Sequence, residues 1–290
     1  MARAARAVAK GRAASVRMAR LRALDGRAHT VTYLFRRLRP WMPSSVEALA
    51  PALPVFLPVQ FSGLGTLGIL LVLVLMVISF GVHEAAHAWV AWKCGDSTAK
   101  DLGRITLNPL AHVDPFMTVL LPAVLLLQSH GTRFFGGAKP VPVNFYRLRH
   151  PWRDMSIVAL AGPFSNLLLA AFFLAAYHLF VRTGWYNGAA EYVTTRQADL
   201  LPRVLLSATS FNLLLTVFNL VPIPPLDGSR VLAYLLPPSM REHYNAIGQY
   251  GIVLVIVLMY TWPPFGYFLE TTVDDLLTGL NAVVSLGDRW

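Results

Sequence analysis

His83, Glu84 and His87 close an apolar run in which TLGILLVLVLMVISF (66–80) leads directly into GVHEAAHAWVAW (81–92). No other stretch restricts the fold as tightly. From about Gly65 to Lys93 the pattern predicts one helix long enough to cross a hydrocarbon core about 30 Å thick. Charge in lipid is costly, so the three ionisable groups near its end must face a protein interior or a wet cavity. His83 and His87 are four residues apart and project from one helix face, where both can bind one metal ion. Glu84 lies beside them, within reach of a water molecule held at that ion.

The rest of the chain fits a membrane protein. It is 55% hydrophobic and only 14% charged, an imbalance that soluble domains do not usually carry. Further apolar stretches occur near 155–181, 204–222 and 247–262. The expected fold is therefore an all-α polytopic membrane protein, a bundle of about four to six transmembrane helices. Between the apolar stretches, LGRITLNPLAHVDP (102–115) suits a short strand at Ile105–Leu107 followed by a turn at Asn108 and Pro109. FMTVLLPAVLLLQ (116–128) is short for a crossing and interrupted by Pro122, so a re-entrant element is expected near the site. GGAKPVPVNFYRLRHPWRDM (136–155) alternates around Pro140 and Pro142, which predicts a second extended edge segment. Either extended segment, near 103–107 or 138–143, could pair with a substrate by strand addition or close a hairpin that shields the site.

Residues 1–42 read as a basic, disordered arm, because residues 1–40 hold eleven of the 25 Lys and Arg with Asp25 as their one acid. Such an arm suits anionic lipid or a transit peptide; no nucleic-acid partner is expected. Residues 43–64 are apolar but broken by Pro51, Pro54 and Pro58, and read as an interfacial or re-entrant segment. The single cysteine, Cys94, excludes an internal disulfide and a thiolate cluster.

A catalytic metal site takes three protein ligands and keeps a position for water, so the two histidines need a third partner. Asp227, in PIPPLDGSR, follows an apolar helix and three prolines that free backbone groups at membrane depth. It reads equally well as the N-cap of the helix that follows.

HEAAH near the end of one apolar helix, with LDG after a later one, resembles the site-2 protease family of intramembrane zinc metalloproteases. The resemblance extends through GRITLNPLAHVDP, GGAKPVPVN, AGPFSN and NLVPIPPLDGSR, roughly residues 65–235, and is to the compact bacterial branch without an inserted peptide-binding domain. It implies a membrane-embedded protease domain over 65–290. It implies one Zn2+ held by His83, His87 and Asp227, with Glu84 as general base. It also points to Asn166 and Asn219 as polar residues that stabilise an oxyanion or position substrate. The partners implied are a transmembrane protein substrate and the bilayer, in regulated intramembrane proteolysis at a bacterial cell membrane. The rival readings are a membrane metal-ion transporter, which has no use for Glu84 as a base, and a catalytically silent scaffold, which has no use for an intact ligand set.

Topology follows from reach. His83 lies about eighteen residues into its helix, roughly 27 Å at 1.5 Å per residue, whereas Asp227 follows the far end of its own. For both to meet one ion the two helices must run parallel, with an odd number of crossings between them. The loops 93–154 and 223–245 then share a face with ten Lys and Arg against three in 182–203. The positive-inside rule turns that face and the site toward the cytoplasm. The basic arm runs against this assignment, and its own side is not set by it.

Overall fold

In the computed structural model, residues 64–122, 124, 136–183 and 200–286 are described. The expected basic arm and nearly all of the Pro-rich segment 43–64 lie outside them. Eight α-helices occur among the described residues: α1 (Gly65–Lys93), α2 (Thr98–Asp101), α3 (Pro151–Arg182), α4 (Leu200–Leu220), α5 (Asp227–Leu235), α6 (Pro238–Ala246), α7 (Gly251–Thr261) and α8 (Pro263–Leu286).

α1 carries its polar groups on one stripe. Val72, Met76, Ser79, Phe80, His83 and His87 are buried, at spacings of three and four residues, while Leu67, Leu70 and Val74 on the other side are more than half exposed. A helix apolar on both its packed and its exposed face is suited to lipid rather than water. The helix stops at Gly95, whose φ of 112° is open to glycine, and the Gly95 and Asp96 N–H groups donate back to the Trp92 and Ala91 carbonyls. At this end the Trp92 ring lies 4.4 Å from Lys93 Nζ and 4.3 Å from Lys100 Nζ, the aromatic and cationic pairing common at membrane interfaces.

α1, α3 and α4 are long and apolar enough to cross a membrane. The stretch 247–262 does not make a straight fourth span. α7 has 11 residues, and the chain then bends by 85° into α8; only the bent pair taken together passes as a fourth crossing. The cause is local: Trp262 is held extended before Pro263, where an α conformation would clash with the proline ring.

The packing fixes helix directions. Between α1 and α4, Ser79 meets Asn212 and Phe80 stacks edge-on against Phe211 at 5.5 Å. One turn or more earlier, a side chain at Gly68 would strike Leu200. Numbers rise together on both helices, so they run parallel. Between α1 and α3, His83 meets Asn166 and His87 meets Val158, so those two run antiparallel. The expected parallel pair is present, and among the described residues one helix long and apolar enough to cross, α3, lies between its members.

No strand forms among the described residues. Residues 105–107 and 138–143 carry no regular secondary structure, and a backbone ladder does not join them. The Arg104 guanidinium bridges them instead, donating to the Ala111 carbonyl and, at 3.3 and 3.1 Å, to those of Lys139 and Pro140. Pro140 and Pro142 remove the alternate N–H groups that a ladder needs. The segment 115–120 is a wide helical turn begun by Asp114, whose carboxylate accepts from the Phe116 and Met117 N–H groups. The chain returns beside it at Gly137, whose N–H donates to Met117 O at 3.0 Å and whose carbonyl accepts from Thr118 Oγ1.

Candidate active site

α4 ends at Leu220, and VPIPPL carries the chain back on itself before α5 begins at Asp227. Prolines end the helix because they lack the N–H that would continue it. The reversal is tight enough to need glycine at 228, where any Cβ would run into the Leu220 carbonyl. Leu226 occupies the N-cap position of α5 and its side chain makes no cap hydrogen bond. Asp227 sits one residue inside the helix and points elsewhere, which overturns the N-cap reading.

It points at the two histidines. Asp227 Oδ2 is 3.3 Å from His83 Nε2 and 3.3 Å from His87 Nε2, and the two Nε2 atoms are 3.1 Å apart. Among the described residues, this is the one group of three His, Cys, Asp or Glu side chains whose ligand atoms all fall within 4.8 Å of each other.

The opposite edge of each ring explains what this cluster can hold. His83 Nδ1–H donates to Asn166 Oδ1 at 2.5 Å, and His87 Nδ1–H donates to the Val158 carbonyl at 2.7 Å. With Nδ1 carrying the proton, each Nε2 presents a lone pair inward. Asp227 Oδ2 is buried with no hydrogen-bond donor. Three lone pairs therefore converge in a buried space with no proton between them, and a cation is what such a donor set fits.

α3 is shaped to the site. A Cβ at Gly162 would run into His87 Nε2 and come within 2.5 and 2.6 Å of His83 Cε1 and Nε2, so only glycine lets the helix pass behind the imidazoles. Pro163 follows. Its missing N–H leaves the Ala159 carbonyl without a helical donor, and the neighbouring Val158 carbonyl accepts from His87.

Asn166 is wholly buried, and both ends of its amide are engaged. Oδ1 holds His83, and Nδ2 donates to Asn212 Oδ1 at 2.8 Å. Asn212 in turn donates to Ser79 Oγ at 2.9 Å and to the Ala208 carbonyl at 2.8 Å. With no exposed surface, Asn166 has both ends of its amide engaged inside the protein, one of them at His83. Asn219 is half-buried at the end of α4, and its Nδ2 donates to the Leu215 carbonyl of its own helix, outside this network.

Glu84 stands beside the cluster, half-buried, with Oε2 accepting from the Val141 N–H at 2.8 Å. Cys94 lies past the end of α1 as a free thiol, pushed above its usual pKa by burial and by the Asp154 charge. That fits an inert packed residue.

Five contributors were not among the residues singled out from the sequence: Gly162, the Val158 carbonyl, Asn212, Ser79 and the Val141 N–H. The signal for Asn212 and Ser79 was present, as polar side chains inside apolar helices. The backbone groups leave no trace in residue type.

A family model described as peptidase family M50 matches residues 71–260. A Bacillus subtilis (strain 168) protein named "Putative zinc metalloprotease YwhC" is 36% identical over 219 residues, covering 72% of this chain and 90% of that protein. A Mycolicibacterium smegmatis protein named "Putative zinc metalloprotease Rip2" is 32% identical over 201 residues, covering 69% and 71%. Its namesake in Mycobacterium tuberculosis (strain H37Rv) is 30% identical over 196 residues, covering 66% and 67%. No solved structure matches the chain. The matched span contains HEAAH, the AGPFSN segment and LDG, so the chain belongs to peptidase family M50, the site-2 protease family.

Proposed function

We propose that the chain is an intramembrane zinc metalloprotease that hydrolyses peptide bonds in or near the transmembrane segments of membrane-protein substrates. The observation that carries this reading is the meeting of His83, His87 and Asp227 around one buried point, with the Glu84 carboxylate one residue along α1. The relatives named zinc metalloproteases support zinc as the ion, and two imidazoles with one carboxylate suit it.

When bound, zinc acts as a Lewis acid that makes water nucleophilic near neutral pH. The chain's own groups do the remainder. His83, His87 and Asp227 bind through Nε2, Nε2 and Oδ2, and Asn166 and the Val158 carbonyl keep the protons of both imidazoles on Nδ1. Glu84 takes the proton of the attacking water on its carboxylate and returns it to the leaving amine nitrogen. Asn166 acts through His83, so oxyanion stabilisation or substrate positioning falls to Asn219.

The topology belongs to the same reading. The re-entrant element expected at 116–128 lies partly outside the described residues; its described start, 116–122, is met by the returning chain at Gly137, beside Met117 and Thr118. The site faces the cytoplasmic side of a bacterial cell membrane, supported by the basic loops. The protease domain spans 65–290, preceded in the sequence by the Pro-rich segment 43–64 and the basic arm 1–42. Substrate adds alongside 103–107 or 138–143 in extended form, because a helical peptide bond is shielded by its own hydrogen bonds.

The test is to reconstitute the purified protein with zinc and single-span substrates and compare wild type with Glu84→Gln. Cleavage that depends on Glu84 is expected. Equal cleavage by both would reject the mechanism.

A further inference from the structure

We infer that the backbone N–H of Val141 positions the catalytic carboxylate of Glu84, and that Arg104 holds that N–H where it is needed. The inference rests on the proteolytic reading and adds two positioning groups to it.

Glu84 has three rotatable side-chain bonds, and leaving such a carboxylate free to wander would cost rotamer entropy each time it took up a productive pose. Its Oε2 is instead held at 2.8 Å by a donor 57 residues away. Val141 lies in Lys139-Pro140-Val141-Pro142. The prolines have no N–H, so Val141 carries the one backbone donor of residues 140–142. Preceding Pro142 also biases its own backbone toward an extended conformation.

The residues leading into Val141 are pinned from two sides. The Lys139 N–H donates to the His112 carbonyl at 2.8 Å. The Lys139 and Pro140 carbonyls accept from Arg104 Nη2 at 3.3 and 3.1 Å, and the same guanidinium reaches the Ala111 carbonyl through Nη1. Residues 109–112 in turn pack on α1 at Gly81, where a Cβ would lie 3.3 Å from Pro109 Cα. The path therefore leaves α1 at Gly81, passes through Pro109–His112, Lys139 and Val141, and returns to α1 at Glu84, within one turn of its start. A closed frame of this kind sets the direction of a carboxylate. An amide N–H does not exchange its proton with the reaction, so it can orient Glu84 without competing in the proton transfer.

One consequence bears on substrate. A peptide adding alongside residues 140–142 finds no free N–H there while Glu84 is held, so strand addition at that point and orientation of the base compete for the same donor.

The experiment replaces Val141, in the full zinc-loaded chain, by its α-hydroxy acid analogue, which turns one amide into an ester: the N–H is lost and the Pro140 carbonyl becomes a weaker acceptor for Arg104. Val141→Ala keeps the N–H, and Arg104→Ala removes the clasp. On a single-span substrate the ester is expected to lower kcat by roughly 10–100-fold, with KM and zinc content unchanged. Arg104→Ala should lower kcat in the same direction, and Val141→Ala should lose less than about threefold. A kcat for the ester within about twofold of wild type would overturn the inference. A second measurement needs no substrate. A fragment containing residues 140–142 has one exchangeable amide within that run, and its hydrogen exchange in wild type should be slower than in Glu84→Ala by about tenfold or more. Equal rates would also overturn the inference. Absence of cleavage by wild type, or cleavage by Glu84→Gln, would count against the proteolytic reading instead, and the exchange comparison would still decide the Val141 bond.

Discussion

His83 Nδ1 lies 2.5 Å from Asn166 Oδ1, across the interface of two antiparallel helices and 83 residues apart in sequence. This bond decides which face of the imidazole is free. It commits the proton to Nδ1, turns Nε2 toward Asp227, and makes a neutral amide on α3 part of a candidate metal centre built from α1 and α5. Through Asn212 and Ser79 the same amide ties α4 back to α1, so the site is held by a polar chain that crosses all three long apolar helices.

Asn166→Ala should therefore weaken zinc binding without removing a ligand. Loss of an outer partner of this kind typically costs about 10–100-fold in metal affinity. Competition with a chromophoric chelator checks it, and an unchanged affinity would show that the Asn166 bond does not orient His83.

Gly162→Ala should be more damaging than the addition of one methyl suggests. The new Cβ would overlap both imidazoles, and neither ring can withdraw while its Nδ1 is bonded. The expected result is a chain that inserts in the membrane with the helix content of wild type but little bound zinc, read by metal analysis of the purified protein. Stoichiometric zinc in this variant would mean that α3 stands further from the ligands than described.

Glu84→Gln should leave zinc content intact and remove most turnover. General acid and base groups contribute about 10²–10⁴-fold, so kcat should fall at least that far, with KM nearly constant. A parallel fall in bound zinc would instead mark Glu84 as a ligand.

Asp96 gives a prediction about stability alone. It is wholly buried just past the end of α1, where its carboxylate accepts from the Thr98 N–H and hydroxyl and from the Asn144 N–H, the last at 2.6 Å. Asp96→Ala leaves those donors unpaired at a cost of about 1–3 kcal/mol each where they stay dry. The thermal unfolding temperature of the detergent-solubilised protein should drop clearly, with zinc stoichiometry preserved below the transition.

The parallel course of α1 and α4 can be checked in the membrane. With Cys94 replaced, a short thiol cross-linker should join Val72→Cys to Val204→Cys, which share one buried cluster. It should not join Val72→Cys to Val217→Cys, which lies further along α4 in a different cluster. The reverse pattern would require antiparallel helices and would separate Asp227 from the histidines.

Much of this was legible from residue order. Two histidines and a glutamate at the end of an apolar helix announce a site, because lipid does not tolerate them otherwise. The need for a third ligand past the far end of another helix requires the two helices to be parallel. Both conclusions come from reach and solvation, which residue spacing records directly. The stretch 247–262 misled for the same kind of reason: its hydropathy suits a span, but Pro263 turns the chain before the helix is long enough.

Other features became visible only when the chain was folded. Whether Asp227 caps its helix or turns to the histidines depends on the tight reversal at Gly228. The partner of Asn166 depends on what stands opposite it, and there it finds His83. The strand expected at 105–107 gives way to a clasp by Arg104, because Pro140 and Pro142 leave too few donors for a ladder. Sequence alone pointed to the candidate polar groups of the site and to the direction of two helices, since these follow from covalent spacing and the cost of charge in lipid. The tertiary structure decided the proton position on each imidazole and the donor that holds Glu84. Those were fixed by backbone carbonyls and N–H groups, which every residue carries and no pattern of side chains reveals.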